Sequence, residues 1–174
     1  MLQIHSALRN SFGPFCRAVP QMIETRPINS NDLDLVCRHR ISMFCDDGRR
    51  KAPELETMDR SFRVWLKLRL IDGTYFGFIV EDDGKPIAGI GLMELSWPPH
   101  PLHQDDGRRG YVLNMFVERS HRKRGIAKLL LDLADQEFKQ RKLQYAILHS
   151  TSAGRPVYEA AGWQPTSEMA KVIE

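Results

Sequence analysis

The stretch Val112-Leu113-Asn114-Met115-Phe116-Val117-Glu118-Arg119-Ser120-His121-Arg122-Lys123-Arg124-Gly125-Ile126-Ala127-Lys128-Leu129 decides how this 174-residue chain is interpreted. An apolar strand runs into a helix whose predicted first turn carries Arg122, Lys123 and Arg124 and no acid. A helix N-terminus is partially positive, so cations there cost on the order of tenths of a kcal/mol each. Because free N–H groups at a helix start bind phosphate, the added cations indicate a phosphate-bearing ligand.

Gly125 supports the same interpretation. A glycine within a helix costs about 1 kcal/mol relative to alanine, and close approach of a phosphate to the backbone would explain its presence. A solvated cationic loop with a packing glycine is the alternative. Two other phosphate motifs are excluded, because the chain has no G-x-x-x-x-G-K-[ST] and the G-x-G beginning at Gly89 has Glu94 in place of its third glycine. The sequence predicts an anion site without naming the anion.

Composition limits the remaining classes of function. Apolar residues make up 42% and charged residues 27% of the chain, as in an ordinary soluble domain. A net charge of +3 does not indicate nucleic acid, and no apolar run approaches the roughly 20 residues that span a bilayer. Three cysteines without a C-x-x-C pair favour reduced thiols, and His100-x-x-His103 lacks a third metal ligand. We predict a cytoplasmic protein with no metal, nucleic-acid or membrane partner.

Hydrophobic periodicity predicts an α+β fold in the order β-α-α-β-β-β-α-β-α-β. Residues 1–21 contain no acid and are predicted to be a poorly ordered extension; residues 22–174 are predicted to form a single domain. The predicted strands are Met22–Pro27, Tyr75–Glu81, Pro86–Leu95, Gly110–Val117, Leu143–His149 and the segment from Trp163 onward. The predicted helices are 31–45, 54–71, Arg122–Gln140 and Ser152–Ala161.

Two motifs carry a resemblance to a known family. Arg122-Lys123-Arg124-Gly125-Ile126-Ala127 fits the (Q/R)-x-x-G-x-(G/A) signature of the GNAT superfamily of N-acetyltransferases and follows a strand, as that family requires. Tyr158 precedes Gly162-Trp163 by four positions, which resembles the second half-motif of the family, although Thr151 stands where many members have Asn. The resemblance implies α/β/α layers around a mixed, mostly antiparallel sheet whose fourth and fifth strands splay apart.

The resemblance also implies that acetyl-CoA lies between the fourth and fifth strands. The N–H of Val117, with that of Met115 as a second candidate, would hold the thioester and acetyl carbonyls, where one aimed donor is worth a few kcal/mol. Tyr158 would protonate the departing thiolate, because a phenol with a pKa of about 10 stays protonated at pH 7; a core tyrosine is the alternative. The implied cofactor-binding residues are Met115, Val117, Arg122, Lys123, Arg124, Gly125, Ile126 and Ala127.

The acceptor side is less defined. An attacking ammonium must first lose a proton, and the candidate bases are Glu94 and His149, each with a purely structural alternative as a solvent-facing carboxylate or a core histidine. Asn114 either positions substrate or satisfies a buried bulge. Trp97, in the loop of residues 97–108, is predicted to form a rim over the acceptor site. By the resemblance, four acids border the acceptor entrance and either favour a cationic amine or are solvated surface: Asp46, Asp47, Glu54 and Glu56.

The predicted function is therefore acetyl-CoA-dependent N-acetyl transfer to a primary amine of a small molecule or peptide. The alternative is a catalytically silent acyl-CoA-binding regulator that uses the same cleft. Nucleic-acid binding by the run from Arg119 to Arg124 is disfavoured, because the run is short and has no interleaved aromatic residues. The sequence does not specify the acceptor, and it leaves a homodimer open.

Overall fold

The computed structural model describes residues 23–48, 51–104 and 107–173, so the predicted extension 1–21 lies outside the described residues. The α+β prediction is confirmed. The strands are β1 (Ile23–Pro27), β2 (Tyr75–Asp82), β3 (Lys85–Ser96), β4 (Arg108–Val117) and β5 (Ala146–Leu148). The helices are α1 (Leu33–Asp47), α2 (Ala52–Asp72), α3 (Ile126–Gln140) and α4 (Arg155–Ala160), and short 3-10 turns precede α1 and follow β4.

The described strands form one sheet in the order β1-β2-β3-β4-β5, with the first four antiparallel and β5 parallel to β4. Strand β5 pairs with β4 only from Gly110 to Val112. Strand β4 continues to Val117, beyond the last residue paired with β5. The predicted splay therefore opens after Val112.

A β-bulge interrupts β4 where the splay begins. Gly91 pairs with Leu113 and Gly89 with Phe116, so two residues of β4, Asn114 and Met115, stand opposite a single residue of β3. Asn114 has a φ of 54°, a left-handed conformation that asparagine tolerates better than most residues. An extra residue of this kind is unpaired and bends the strand.

The sheet lies between two helical layers. Helix α3 packs on one face, where its apolar stripe buries Leu130, Ala134 and Phe138 against Leu92 and Val112. Helices α1 and α2 pack on the other face around a cluster of Val36, Cys37, Phe62, Leu66 and Tyr75. Burying a side chain of this size contributes roughly 1.5–3 kcal/mol, so the two stripes hold the sheet from both sides.

The predicted sixth strand is wrong for the described residues. Residues 164–173 form no regular structure and are exposed, and Met169, Val172 and Ile173 are each at least 80% exposed. Pro165 lacks the N–H that a strand would donate, and the segment has no face that alternates into a core. The predicted strand Leu143–His149 is also shorter in the structure, where it covers Ala146–Leu148. Strand β5 is thus the edge of the described sheet.

Candidate active site

The basic loop precedes α3 instead of forming its first turn, which corrects the predicted start at Arg122. Helix α3 begins at Ile126, and Gly125 is its N-cap with a φ of 81°. Lys123 also has a positive φ, of 60°. These two left-handed residues turn the chain before the helix, so the cations lie beside the helix start while the first N–H groups of α3 lack intrahelical partners.

Seven of the eight predicted cofactor-binding residues line one cleft of about 930 Å³. This donor cleft lies between the β4 end, the α3 start and the segment Thr151–Gly154 with the following helix α4, and Met43 and Asp46 of α1 also reach it. Arg124 is not among its lining residues. The lining predicted residues are Met115, Val117, Arg122, Lys123, Gly125, Ile126 and Ala127. A cleft that combines free helix amides with cations is suited to a phosphate group.

The amide of Val117 points into the splay. The N–H of Glu118 donates to the Ile87 carbonyl at 2.8 Å, so this amide faces β3. Successive amides of a strand point to opposite sides, and the Val117 N–H therefore faces away from β3, where β5 has already ended. Two residues earlier on the same side comes Met115. Main-chain N–H groups of this kind are donors that can stabilise an oxyanion.

Asp46, at the end of α1, binds the basic loop from the far side of the cleft. Its carboxylate forms ion pairs with Arg122 and with Arg119, the latter at 2.5 Å. Hydrogen bonds from these two guanidinium groups, that of Arg122 first, hold the pKa of Asp46 below its usual value. Arg122 Nε also donates to the Val117 carbonyl at 2.9 Å. Asp46, which was predicted to border the acceptor entrance, thus pairs with Arg122 of the donor cleft.

Tyr158 lies on α4, next to the donor cleft but not on its wall. Its neighbours Val157 and Ala160 line the cleft, whereas Tyr158 lines a second groove of about 960 Å³ along the β5 edge. The ring is partly buried and meets Trp163 edge-on, with 6.4 Å between ring centroids. Burial raises the pKa of Tyr158, so the phenol is protonated at neutral pH and can donate.

Thr151, at the position where many GNAT members have Asn, stabilises the turn that precedes α4. Its Oγ1 accepts the Gly154 N–H at 3.1 Å, and the Thr151 carbonyl accepts the N–H of Arg155 at 3.0 Å. Gly154 itself is the N-cap of the helix that carries Tyr158.

The structure does not bring Glu94 to the donor cleft. Glu94 pairs in register with Gly110, and a Cβ added at Gly110 would meet the Phe138 ring at 2.8 Å. Paired residues of neighbouring strands point to the same face, so Glu94 lies on the α3 face. There its carboxylate is 3.2 Å from the guanidinium of Arg108. The carboxylate is thus on the opposite face of the sheet from α1 and α2.

His149 is exposed, so the alternative of a core histidine does not hold. Its Nδ1 lies 2.6 Å from the hydroxyl of Tyr111, which is on the face of the sheet that carries α1 and α2. Burial, followed by the charge of Glu168, raises the pKa of Tyr111. The phenol is therefore protonated and can donate to His149, which leaves the second ring nitrogen toward solvent.

Asn114 forms part of the bulge, and its side chain joins three elements. It is 5% exposed, its Nδ2 donates to the Tyr75 hydroxyl of β2 at 3.0 Å, and its Oδ1 accepts from Arg40 of α1 at 2.5 Å. We call Arg40, Tyr75, Tyr111, Asn114 and His149 the acceptor-face cluster. All five lie on or reach toward the α1–α2 side of β4 beside the splay.

Trp97 covers a buried guanidinium. Arg109, at 9% exposure, lies between the rings of Trp97 and Tyr145, 4.3 Å and 4.9 Å from their centroids, and its Nε donates to His103 Nε2 at 3.0 Å. Trp97 and His100 line the β5-edge groove.

In the described part of the chain no cluster of His, Cys, Asp and Glu is suited to a metal ion. No described helix is both long and apolar enough to cross a membrane.

A splayed β4–β5 pair inside α/β/α layers, with a basic loop suited to phosphate at the splay, is the arrangement of the acetyltransferase class. The acetyltransferase (GNAT) family model matches residues 40–163, and the chain belongs to that family. A comparison with curated proteins finds no significant match.

Solved structures support the same assignment. A GCN5-related N-acetyltransferase from Ralstonia eutropha JMP134 is 50% identical, with a TM-score of 0.85 over 87% of this chain and 99% of that one. A predicted acetyltransferase from Clostridium acetobutylicum, solved with acetyl-CoA, is 27% identical, with a TM-score of 0.79 over 87% and 96%. An aminoglycoside N-acetyltransferase in complex with CoA shares the fold at 16% identity, with a TM-score of 0.69 over 90% and 97%.

The sequence did not predict the contacts that four residues near the splay make with the predicted site residues: Arg40, Asp46, Tyr75 and Tyr111. Asp46 was predicted at the acceptor entrance, but its pairing with Arg122 was not predicted. The other three belong to no local motif, and their partners are 38 to 74 positions away in sequence. The only local signal is Asn114, a polar residue in an otherwise apolar strand that requires partners when buried.

Proposed function

We propose that this protein is an acetyl-CoA-dependent N-acetyltransferase that acts on a primary amine of a small molecule or peptide. The observation that carries the proposal is the donor cleft, in which free amides at the α3 start, the cation of Arg122 and the inward N–H of Val117 lie along one path. Two structural relatives solved with acetyl-CoA or CoA support this choice of donor.

Each part of the cleft has a role in direct transfer. The loop from Arg122 to Ala127 binds the pyrophosphate through its amides. The amine attacks the thioester carbonyl, forming the new C–N bond, and the N–H of Val117 stabilises the oxygen that becomes negative. When the C–S bond breaks, Tyr158 donates its proton to the CoA sulfur. The amine proton leaves through His149 or water.

The test removes the hydroxyl of Tyr158 and keeps its ring. A general acid contributes roughly 10²–10⁴-fold, so Tyr158→Phe lowers kcat by about a hundredfold or more while the KM for acetyl-CoA changes little. The measurement is thiol release with a panel of amines, with mass-spectrometric detection of the N-acetyl product. Tyr145→Phe is the matched control, because it removes a phenol beside Arg109 that has no part in the transfer.

The pH profile gives a second readout. Because burial raises the pKa of Tyr158, the alkaline fall in wild-type kcat, which marks ionisation of the phenol, comes at a higher pH than an ordinary tyrosine would give. The variant lacks this alkaline limb. An unchanged kcat in Tyr158→Phe would show that Tyr158 does not protonate the CoA sulfur. Tight CoA binding with no turnover on any amine favours the silent acyl-CoA-binding regulator instead.

A further inference from the structure

Arg40 lies at the centre of the acceptor-face cluster and is incompletely satisfied. A guanidinium has five N–H donors. The structure gives Arg40 two hydrogen bonds, from Nη1 to Asn114 Oδ1 at 2.5 Å and from Nε to the Met58 sulfur at 3.2 Å. Rings of Phe44 and Phe62 cover its faces, 5.1 Å and 4.5 Å from the guanidinium carbon. The remaining N–H groups have no acceptor among the described residues.

The charge of Arg40 is also unmatched within the described residues. Seven other arginines each pair with a carboxylate: Arg26, Arg63, Arg108, Arg119, Arg122, Arg141 and Arg155. Arg40 forms no such pair there, although it is partly buried and burial lowers its pKa. Glu168 acts on the neighbouring Tyr111 but does not pair with Arg40. A partly buried cation without a counterion is stabilised by an anion that a ligand supplies.

The position of Arg40 connects this cation to the reaction centre. Its guanidinium is bonded to the side chain of Asn114, the bulge residue at the mouth of the splay. A ligand group held by Arg40 would therefore lie on the α1–α2 side of β4, opposite the α3 layer. Its contact residue Asn114 is adjacent in the chain to Met115, which lines the donor cleft.

We propose that the acetyl acceptor carries an oxyanion, a carboxylate or a phosphate, that pairs with the free N–H groups of Arg40 while its amine faces the splay. The inference rests on the proposed N-acetyl transfer and names its substrate class. Asp46, one of the four acids considered at the acceptor entrance, is engaged by Arg119 and Arg122 and so does not offer its charge to a cationic amine. Planar carboxylates and phosphates match the guanidinium fork.

The test compares acceptors that differ only in this anion. The full chain is assayed with saturating acetyl-CoA on amino acids against their C-terminal amides, and on phosphoethanolamine against ethanolamine, so that the two arms distinguish carboxylate from phosphate. We expect kcat/KM to favour the charged member of at least one pair by tenfold or more. Arg40→Met lowers that ratio about tenfold or more, and Arg40→Lys retains part of it. Arg38→Met removes an exposed cation of the same helix and leaves the ratio unchanged.

Binding gives a readout that needs no turnover. Calorimetry on CoA-saturated protein compares the N-acetylated amino acids with their amides, and the charged members bind more tightly to wild type than to Arg40→Met. Equal kcat/KM within both pairs overturns the inference and leaves acetyl transfer intact. An equal loss on charged and neutral acceptors in Arg40→Met assigns Arg40 a structural role and also overturns it. With no turnover on any amine the proposed function fails, and calorimetry alone decides the inference.

Discussion

The donor cleft and the acceptor-face cluster lie on the same strand and are built in different ways. The donor cleft uses main-chain amides of β4 and α3 with cations that are neighbours in sequence. The acceptor-face cluster uses side chains of α1, β2, β4 and the segment after β5, which are far apart in sequence. Main-chain donors suit a ligand that is common to a whole family, and side chains suit a ligand that differs between members.

The largest effect is expected at the main chain of the donor cleft. Gly125→Val places a β-branched residue at a φ of 81°, a conformation that costs on the order of 1–3 kcal/mol. Relief of that strain turns the loop amides away from the pyrophosphate. We expect the KM for acetyl-CoA to rise about a hundredfold, measured with any accepted amine.

The control for strain is Gly84→Val in the β2–β3 turn. Gly84 has a φ of 72° and, like Gly125, open space around an added Cβ, so the two variants lose comparable folding stability. Only the Gly125 variant should change the KM for acetyl-CoA. An equal rise in both would show that donor binding does not depend on this loop conformation.

A tenfold effect is expected on the acceptor side. In the wild type, Arg40 Nη1 lies 2.5 Å from Asn114 Oδ1. Asn114→Asp therefore places a carboxylate beside Arg40, and this internal anion pairs with the guanidinium in place of the substrate. The kcat/KM ratio of charged to neutral acceptors should fall about tenfold, with the KM for acetyl-CoA within about twofold of wild type. A ratio that stays unchanged while the protein remains folded by circular dichroism would argue against Arg40 as the anion site.

The smallest effect is expected at the contact between the two regions. Asp46→Asn removes the carboxylate that competes with the pyrophosphate for Arg122. Exposed ion pairs contribute about 0–1 kcal/mol, so the KM for acetyl-CoA should fall by no more than about fivefold. The difference should shrink at high salt.

Glu159→Gln is the control for Asp46→Asn, because it removes an acid from an exposed Arg155 pair outside the donor cleft. A higher KM in Asp46→Asn would mean that Asp46 positions Arg122 for the cofactor.

The same contrast explains what the sequence could predict. The basic loop and the order of the elements up to α4 follow from local patterns, whereas the splay follows from the family resemblance. The errors at the α3 start and at β5 concern segment ends, where periodicity is weakest, and the strand predicted after Trp163 is absent from the described residues. The face on which Glu94 lies could not be predicted for a different reason. Strand alternation assigns a face only relative to a neighbour, and the bulge and the pairing with Gly110 set that face.

Arg40 could not be identified from the sequence at all. It is one of 25 lysines and arginines, and nothing near it in the chain distinguishes it from Arg38. What distinguishes Arg40 from the exposed Arg38 is that its guanidinium is partly buried without a carboxylate partner among the described residues, a property of tertiary packing. Unmatched charge is therefore visible only after the fold has brought distant segments together.

The bulge at Asn114 changes the parity of β4. Before it, the odd-numbered Tyr111 and Leu113 face the α1–α2 layer; after it, the even-numbered Phe116 does, packed on His39. Deleting one residue here would exchange the two faces of the strand end and turn the Val117 amide toward β3. The parity of this one residue therefore determines both which side chains of β4 face the α1–α2 layer and which amide stays unpaired by β3 at the splay.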